Sequence, residues 1–96
     1  MKITEVKEWV YVITNPSMHG LVKIGYSSKH PLYKADELYT TGVPAYFEVY
    51  YCALVHDAYE LEQRVHAILE DSNENKEWFR CSPGEAVAAI RSRDIP

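Results

Sequence analysis

The sequence contains few cysteines and no apolar run long enough to cross a membrane. Its two cysteines, Cys52 and Cys81, are too few for a disulfide framework or for a zinc site of their own. No stretch approaches the roughly 20 apolar residues that a membrane-spanning helix needs. The first five residues also lack the apolar core of a secretory signal. We therefore expect two buried thiols and a protein of the reducing cytoplasm, without a membrane partner.

Arginine is absent from the first 63 residues, and charge is divided unevenly along the chain. The net charge of −4 argues against a protein that coats nucleic acid through bulk positive charge. The first 35 residues contain five lysines against two glutamates, whereas the rest of the chain contains five basic and twelve acidic residues. A polyanion should therefore approach the N-terminal third. Binding by the domain alone should be weak, because few phosphates can be neutralised.

A chain of 96 residues with 47% hydrophobic content has room for one modest core, so we expect a single domain over residues 1–96. Strands are predicted at 10–13, 21–26, 46–55 and 77–81, and helices at 31–41, 57–71 and 83–93. Alternation in the third strand places four side chains on one face, namely Phe47, Val49, Tyr51 and Ala53. The sequence predicts an α+β fold of order β-β-α-β-α-β-α. A small mixed or antiparallel sheet would begin with a hairpin and be flanked by about three helices.

The predicted hairpin and one predicted helix carry the polar residues of interest. A hairpin turn centred near Ser17 would place Tyr11 opposite Lys23, with both side chains on the same face. On the helix of residues 57–71, Glu62 lies at the edge of the apolar stripe and His66 is one turn further on. Taken alone, Glu62 is more often a solvated carboxylate and His66 a half-buried helix histidine.

Six short segments are informative because of the order in which they occur along the chain. They are Trp9-Val10-Tyr11, Lys23-Ile24-Gly25, Pro31-Leu32-Tyr33-Lys34, Thr41-Gly42-Val43-Pro44, Ala58 to His66, and Glu77-Trp78-Phe79. The set resembles the GIY-YIG nuclease superfamily, especially its short phage-type subgroup, over nearly the whole chain. The first two segments resemble the two family motifs, and the fifth resembles the helix that carries the family's glutamate.

This resemblance implies a metal-dependent endonuclease that hydrolyses nucleic-acid phosphodiester bonds, with DNA as the expected substrate. Tyr11 would orient or activate the attacking water, and Glu62 would bind one divalent cation, Mg²⁺ or Mn²⁺. Lys23, Lys34 and His66 complete the set of candidate catalytic residues around the phosphate.

Two positions depart from the family's pattern. Lys23 replaces the tyrosine of the second motif, as is common in the phage-type subgroup. A lysine beside Tyr11 would lower the pKa of the tyrosine by favouring its phenolate. Lys34 stands where the family has an arginine, and lysine lacks the planar, bidentate grip of a guanidinium on a phosphate.

Three interpretations stay open on the sequence alone. The first is the endonuclease, and the second is a catalytically weak or inert module that binds nucleic acid or a protein. Lys34 and the acidic C-terminal half favour the second. The third is a shared fold only, with Tyr11 as a packing residue and Glu62 as a surface carboxylate. Exposed tyrosines could stack on bases or mark a homodimer interface, and a protein partner could supply affinity for DNA.

Overall fold

The structure, a computed structural model, describes residues 6–92. Its elements are β1 (Glu8–Thr14), β2 (Leu21–Ser27), α1 (Pro31–Leu38), β3 (Glu48–Val55), α2 (Ala58–Ile68), β4 (Asn73–Asn75), β5 (Trp78–Arg80) and α3 (Pro83–Arg91). The predicted α+β class, with an N-terminal hairpin, an antiparallel sheet and three helices, is confirmed. Strand β4 was not predicted, because its three polar residues have the composition of a loop and become a strand only through pairing with β5.

The sheet has the order β3-β1-β2-β5-β4, and each neighbouring pair is antiparallel. Strand β5 pairs with only the first half of β2, from Leu21 to Lys23. The next main-chain groups of β2 find other partners at this edge. The amide of Ile24 donates to the carbonyl of Glu77 at 2.9 Å, and its carbonyl contacts His66 of α2. The edge of β2 is thus closed by a turn and a helix where β5 stops.

Helices cover both faces of the sheet, and alternation along β1 and β2 divides their side chains between two cores. One core packs α2 and α3 against the sheet and includes Val10, Val12, Val22, Ile24, Leu61, Val65, Phe79 and Ile90. The other packs α1 against the opposite face and includes Tyr11, Ile13 and Ala35. Tyr11 therefore projects toward the face that α1 covers.

Strand β3 contradicts the predicted single apolar face. Val12 pairs with Tyr51 but Ile13 pairs with Val49, so Tyr50 is an extra residue in the ladder. A bulge of this kind reverses the facing of the side chains beyond it. Tyr51 accordingly packs with the α2–α3 core, whereas Phe47 and Val49 pack with the α1 core.

Helix α1 begins as predicted but ends three residues early. His30 accepts the amide hydrogen of Leu32 on Nδ1 at 3.1 Å, and Pro31 occupies the first turn, where its missing N–H costs nothing. The chain leaves the helix at Tyr39, which has extended backbone angles (φ −80°, ψ 112°). The predicted end of this helix at residue 41 was therefore too late.

The prediction of two buried thiols is confirmed for Cys81 and is wrong for Cys52. Cys81 is buried and Cys52 is half-buried, and neither forms a disulfide. Burial raises the pKa of both thiols above the ordinary value. Across residues 6–92, no helix combines the length and apolar character that crossing a bilayer requires.

Candidate functional site

The candidate site is built over Gly25 of β2. Tyr11 pairs with Gly25 across the hairpin, and Ile13 pairs with Lys23. The predicted pairing of Tyr11 with Lys23 is therefore wrong by two residues, but a shift of two keeps both side chains on the same face. A Cβ atom on Gly25 would lie 2.5 Å from Tyr11 Oη and 2.7 Å from Tyr11 Cζ. The tyrosine ring fits there because position 25 has no side chain.

Lys23 and Glu77 form an ion pair beside this glycine. Lys23 Nζ lies 2.7 Å from Glu77 Oε1, and it also lies 5.9 Å from the centre of the Trp78 ring. The same Glu77 oxygen lies 2.6 Å from the position that a Cβ on Gly25 would take. Glu77 is thus a site residue that the sequence indicated only as part of a strand motif.

A tight turn presents Glu77 to the site. Lys76 and Glu77 form the two-residue connection between β4 and β5. Lys76 has a φ of 50°, a left-handed conformation that non-glycine residues seldom adopt. Asn73 supports the turn by donating from Nδ2 to the carbonyl of Lys76 at 2.8 Å. No glycine marks this turn in the sequence, so the only local signal for it is the pair of polar residues, Lys76 and Glu77.

Glu62 and His66 reach the site from α2. His66 Nε2 lies 2.9 Å from the carbonyl oxygen of Ile24, and because that oxygen only accepts, Nε2 must carry the hydrogen. The imidazole also packs on Phe79, with ring centres 4.8 Å apart. Glu62 Oε2 lies 4.0 Å from His66 Nε2. His66 therefore ties α2 to β2 at the level of Gly25, which positions Glu62.

The Glu62 carboxylate is buried, with only 2% of the residue exposed. Gln63 Nε2 donates to Glu62 Oε1 at 2.8 Å. Burial raises the pKa of Glu62 above the usual range. The Gln63 hydrogen bond and the His66 and Lys23 charges oppose this shift, whereas the nearby Glu77 charge adds to it. A carboxylate buried among so few positive charges is a group that a cation would stabilise.

Tyr11 has a raised pKa, contrary to the expectation that Lys23 would lower it. Burial contributes most to the rise, followed by the negative charges of Glu77, Glu62 and Glu37. Lys23 does not favour the phenolate because its own charge is paired with Glu77. The tyrosine is therefore a neutral phenol at physiological pH, able to donate and accept hydrogen bonds.

The oxygen ligands at this site fit a hard divalent cation held partly by water. Within residues 6–92, no three side chains among His, Cys, Asp and Glu converge to form an ion cage. Mg²⁺ is usually bound through one or two carboxylates and retains several waters. Glu62, which is buried, supplies one such carboxylate, whereas the Glu77 carboxylate is paired with Lys23.

Lys34 lies on α1 and is half-buried. In the described part of the chain it makes no hydrogen bond or ion pair. Glu37, one turn further along α1, influences Tyr11 electrostatically. The helix that carries Lys34 thus borders the tyrosine, but within residues 6–92 no hydrogen bond or ion pair joins the Lys34 side chain to Lys23 or Glu62.

The site is closed in this conformation. Tyr11 has no exposed surface, and neither of two grooves found within residues 6–92 is lined by Tyr11, Lys23 or Glu62. One, of about 560 Å³, runs between the β1–β2 turn and the start of α3. The other, of about 380 Å³, borders His66 and Phe79 on the side of β4. Access to Tyr11 therefore requires a side chain around Gly25 to move.

A comparison with known protein families identifies the family of this chain. The T5orf172 domain matches residues 8–93, which is most of the chain. The chain belongs to the T5orf172 domain family. This family is phage-associated, GIY-YIG-like and nuclease-like, so the resemblance found in the sequence is supported at that level. No curated protein and no solved structure gives a significant match.

Proposed function

We propose that this T5orf172 domain is a metal-dependent endonuclease that hydrolyses phosphodiester bonds in DNA. The observation that carries the proposal is the electrostatic influence that side chains from three separate elements exert on one another near Gly25. Tyr11 comes from β1, Lys23 from β2 and Glu62 from α2, and each influences, or is influenced by, a neighbour in the group. A buried carboxylate, a neutral phenol and an ammonium in one place form a chemically sufficient set for phosphodiester hydrolysis.

In this proposal each side chain has one role. Glu62 holds a divalent cation, which when bound supplies Lewis-acid polarisation of a phosphoryl oxygen and stabilises the leaving alkoxide. Lys23 and Lys34 bind the phosphate through their positive charges. Tyr11, as a neutral phenol, orients the attacking water by a hydrogen bond. His66 holds α2 against Ile24, so that Glu62 stays in place.

The test is plasmid nicking by Glu62 variants. Glu62→Ala and the nearly isosteric Glu62→Gln should each lower the nicking rate in Mg²⁺ at least about 100-fold, because a lost cation contact removes several kcal/mol of transition-state stabilisation. Glu60→Ala is the matched control, since Glu60 is an exposed carboxylate in the first turn of the same helix. Nicking that is Mg²⁺-dependent but unchanged in both Glu62 variants would remove Glu62 as the metal ligand.

A second candidate is a catalytically inert module that binds nucleic acid or a protein partner. The closed site favours it, because a tyrosine without exposed surface cannot reach water as the structure stands. Lys34 in place of an arginine favours it as well. Purified protein that leaves supercoiled plasmid intact in both Mg²⁺ and Mn²⁺ would select this candidate over the nuclease.

A further inference from the structure

The carboxylate of Glu77 occupies the space over Gly25. One of its oxygens is both the 2.7 Å partner of Lys23 Nζ and a 2.6 Å neighbour of the position where a Gly25 Cβ would lie. Tyr11 Oη lies 2.5 Å from that same position. An anionic oxygen therefore already lies beside the ammonium, over the same glycine as the phenol; these are the two groups of the hairpin that can donate hydrogen bonds to an anion.

We propose that the space over Gly25 is a phosphate subsite and that Glu77 is its built-in competitor, which leaves when a phosphate of the substrate arrives. The identity of the ligand rests on the proposed function. The geometry of the subsite does not, because Lys23, Tyr11 and Gly25 define it without reference to catalysis. Carboxylate and phosphate oxygens accept hydrogen bonds from the same donors at similar distances, so one can stand in for the other.

Lys23 cannot bind the Glu77 carboxylate and a phosphate at two separate positions. Its side chain is only 12% exposed, and the Trp78 ring lies beside its ammonium group. The ammonium is therefore confined to the space over Gly25, and an incoming phosphate must take the position that Glu77 Oε1 holds.

Glu77 is able to leave without disturbing the fold. Its side chain is 37% exposed, so solvent is available to the carboxylate once it rotates away. Its main chain stays fixed, because its carbonyl accepts the amide hydrogen of Ile24 and its turn is supported by Asn73. Release requires only side-chain rotation, a fast motion for a partly exposed residue.

The experiment measures inorganic phosphate binding in EDTA, followed by the amide chemical shifts of Gly25 and Ile24. Glu77→Gln should bind phosphate about threefold to fivefold more tightly than the unmodified protein, the factor expected when a partly exposed ion pair no longer competes. Glu74→Gln is the matched control. It removes one carboxylate from the same β4–β5 hairpin, where Glu74 pairs with Arg80 at 3.0 Å rather than with Lys23. Its affinity should stay within about twofold of the unmodified protein, since only general charge changes.

Lys23→Gln supplies the second arm. It should abolish the phosphate-induced shifts at Gly25, and Glu77→Gln should give no gain in that background. Unchanged or weaker binding by Glu77→Gln alone would overturn the proposal, as would a gain equal to that of Glu74→Gln. The outcome is independent of the nuclease test, because neither metal nor cleavage is involved. If nicking depends on Glu62 while Glu77→Gln binds phosphate no more tightly, the nuclease proposal is supported and the role of Glu77 as a competitor is wrong.

Discussion

Gly25 is required because the side chains of Tyr11 and Glu77 occupy the space beside it, and not because the chain turns there. It lies inside a strand, where glycine ordinarily weakens the ladder by its backbone freedom and its lack of packing. Here the empty position admits the Tyr11 ring and the Glu77 carboxylate, each within 2.7 Å of the point where a Cβ would lie. The cost of a strand glycine is therefore offset by the formation of a polar site on the sheet surface.

Gly25→Ala should destabilise the protein and disturb the site. The buried Tyr11 ring has little room to retreat, so the added methyl group should cost about 1–3 kcal/mol, as overpacking of a core does. That cost corresponds to a decrease in melting temperature of at least about 4 °C for a domain of this size. Thermal unfolding followed by circular dichroism measures it. Gly42→Ala is the control, because nothing lies within 4 Å of a Cβ at Gly42. Equal melting temperatures for the two variants would contradict this account of Gly25.

The pKa values of Glu62 and Tyr11 are shifted in the same direction. Burial raises the pKa of each, and the charge of Glu62 adds to the rise at Tyr11. A group whose folded pKa is raised contributes stability below its unfolded pKa, and this stability is lost as the pH rises through the folded pKa. Ionised Glu62 therefore costs stability near neutral pH. A cation bound beside Glu62 would offset this cost, as the proposed metal role requires.

At the scale of the element, short irregular pieces place the site residues. The extra residue Tyr50 in β3 divides that strand between two cores. Because β5 begins only at Trp78, Ile24 is instead satisfied by Glu77 and by His66 of α2. These interruptions bring a turn and a helix to one point on β2, where unbroken strands would have continued the ladder.

Helix α3 begins with a capping box that makes a pH-dependent contribution to stability. Ser82 Oγ accepts the Glu85 amide hydrogen at 3.0 Å, and Glu85 Oε1 accepts the Ser82 amide hydrogen at 2.9 Å. The hydrogen bonds from the backbone and side chain of Ser82 hold the pKa of Glu85 below its ordinary value of 4.5. A lowered pKa gives stability that is present above 4.5 and is lost as the pH falls through the folded value.

Glu85→Gln should therefore remove part of the acid sensitivity of the fold. The unmodified protein should have the higher melting temperature at pH 7, and the difference should shrink as the pH falls below 4.5. Glutamine can still accept the Ser82 amide hydrogen but does not titrate. Melting temperatures across pH 2–7 test this, with Glu60→Gln on the exposed side of α2 as the comparison. If the difference in melting temperature between the two proteins grows as the pH falls, the predicted direction of the pH dependence is wrong.

At the scale of the whole molecule, charge limits how nucleic acid can bind. The net charge is −4, and the basic excess lies in the first third of the chain, which includes Lys23 and Lys34. Acidic residues dominate the remainder. A polyanion is therefore guided to the side of the sheet where the hairpin and α1 meet, and is repelled elsewhere.

Binding of a labelled DNA duplex in EDTA should depend only moderately on salt. Two phosphate contacts, one each at Lys23 and Lys34, predict a slope of log K against log salt concentration of about −2. Lys34→Gln should reduce the slope to about −1, since one phosphate contact is lost. Arg91→Gln removes an exposed positive charge at the far end of α3 and should leave the slope unchanged. Fluorescence anisotropy over a salt series provides the slopes, and equal slopes for all three proteins would place the DNA elsewhere.

The class of fold, the order of the main elements and, in part, the family could be predicted from the sequence. These properties follow from local patterns: β-branched runs for β1 and β2, a helical stripe for α2, and capping residues for α3. The sequence also placed Tyr11 and Lys23 on one face, because side-chain facing has a period of two and survives an error of two in register.

The tertiary structure alone decided the composition and charge balance of the site. Glu77 joins it through the position of a three-residue strand that pairs only in the folded sheet. The pKa of Tyr11 rises because burial outweighs any attraction to Lys23, whose charge Glu77 compensates. Burial and ion pairing depend on contacts between residues distant in the chain. A local pattern can name Lys23 and Glu77 separately, but only the packed sheet makes them partners over Gly25.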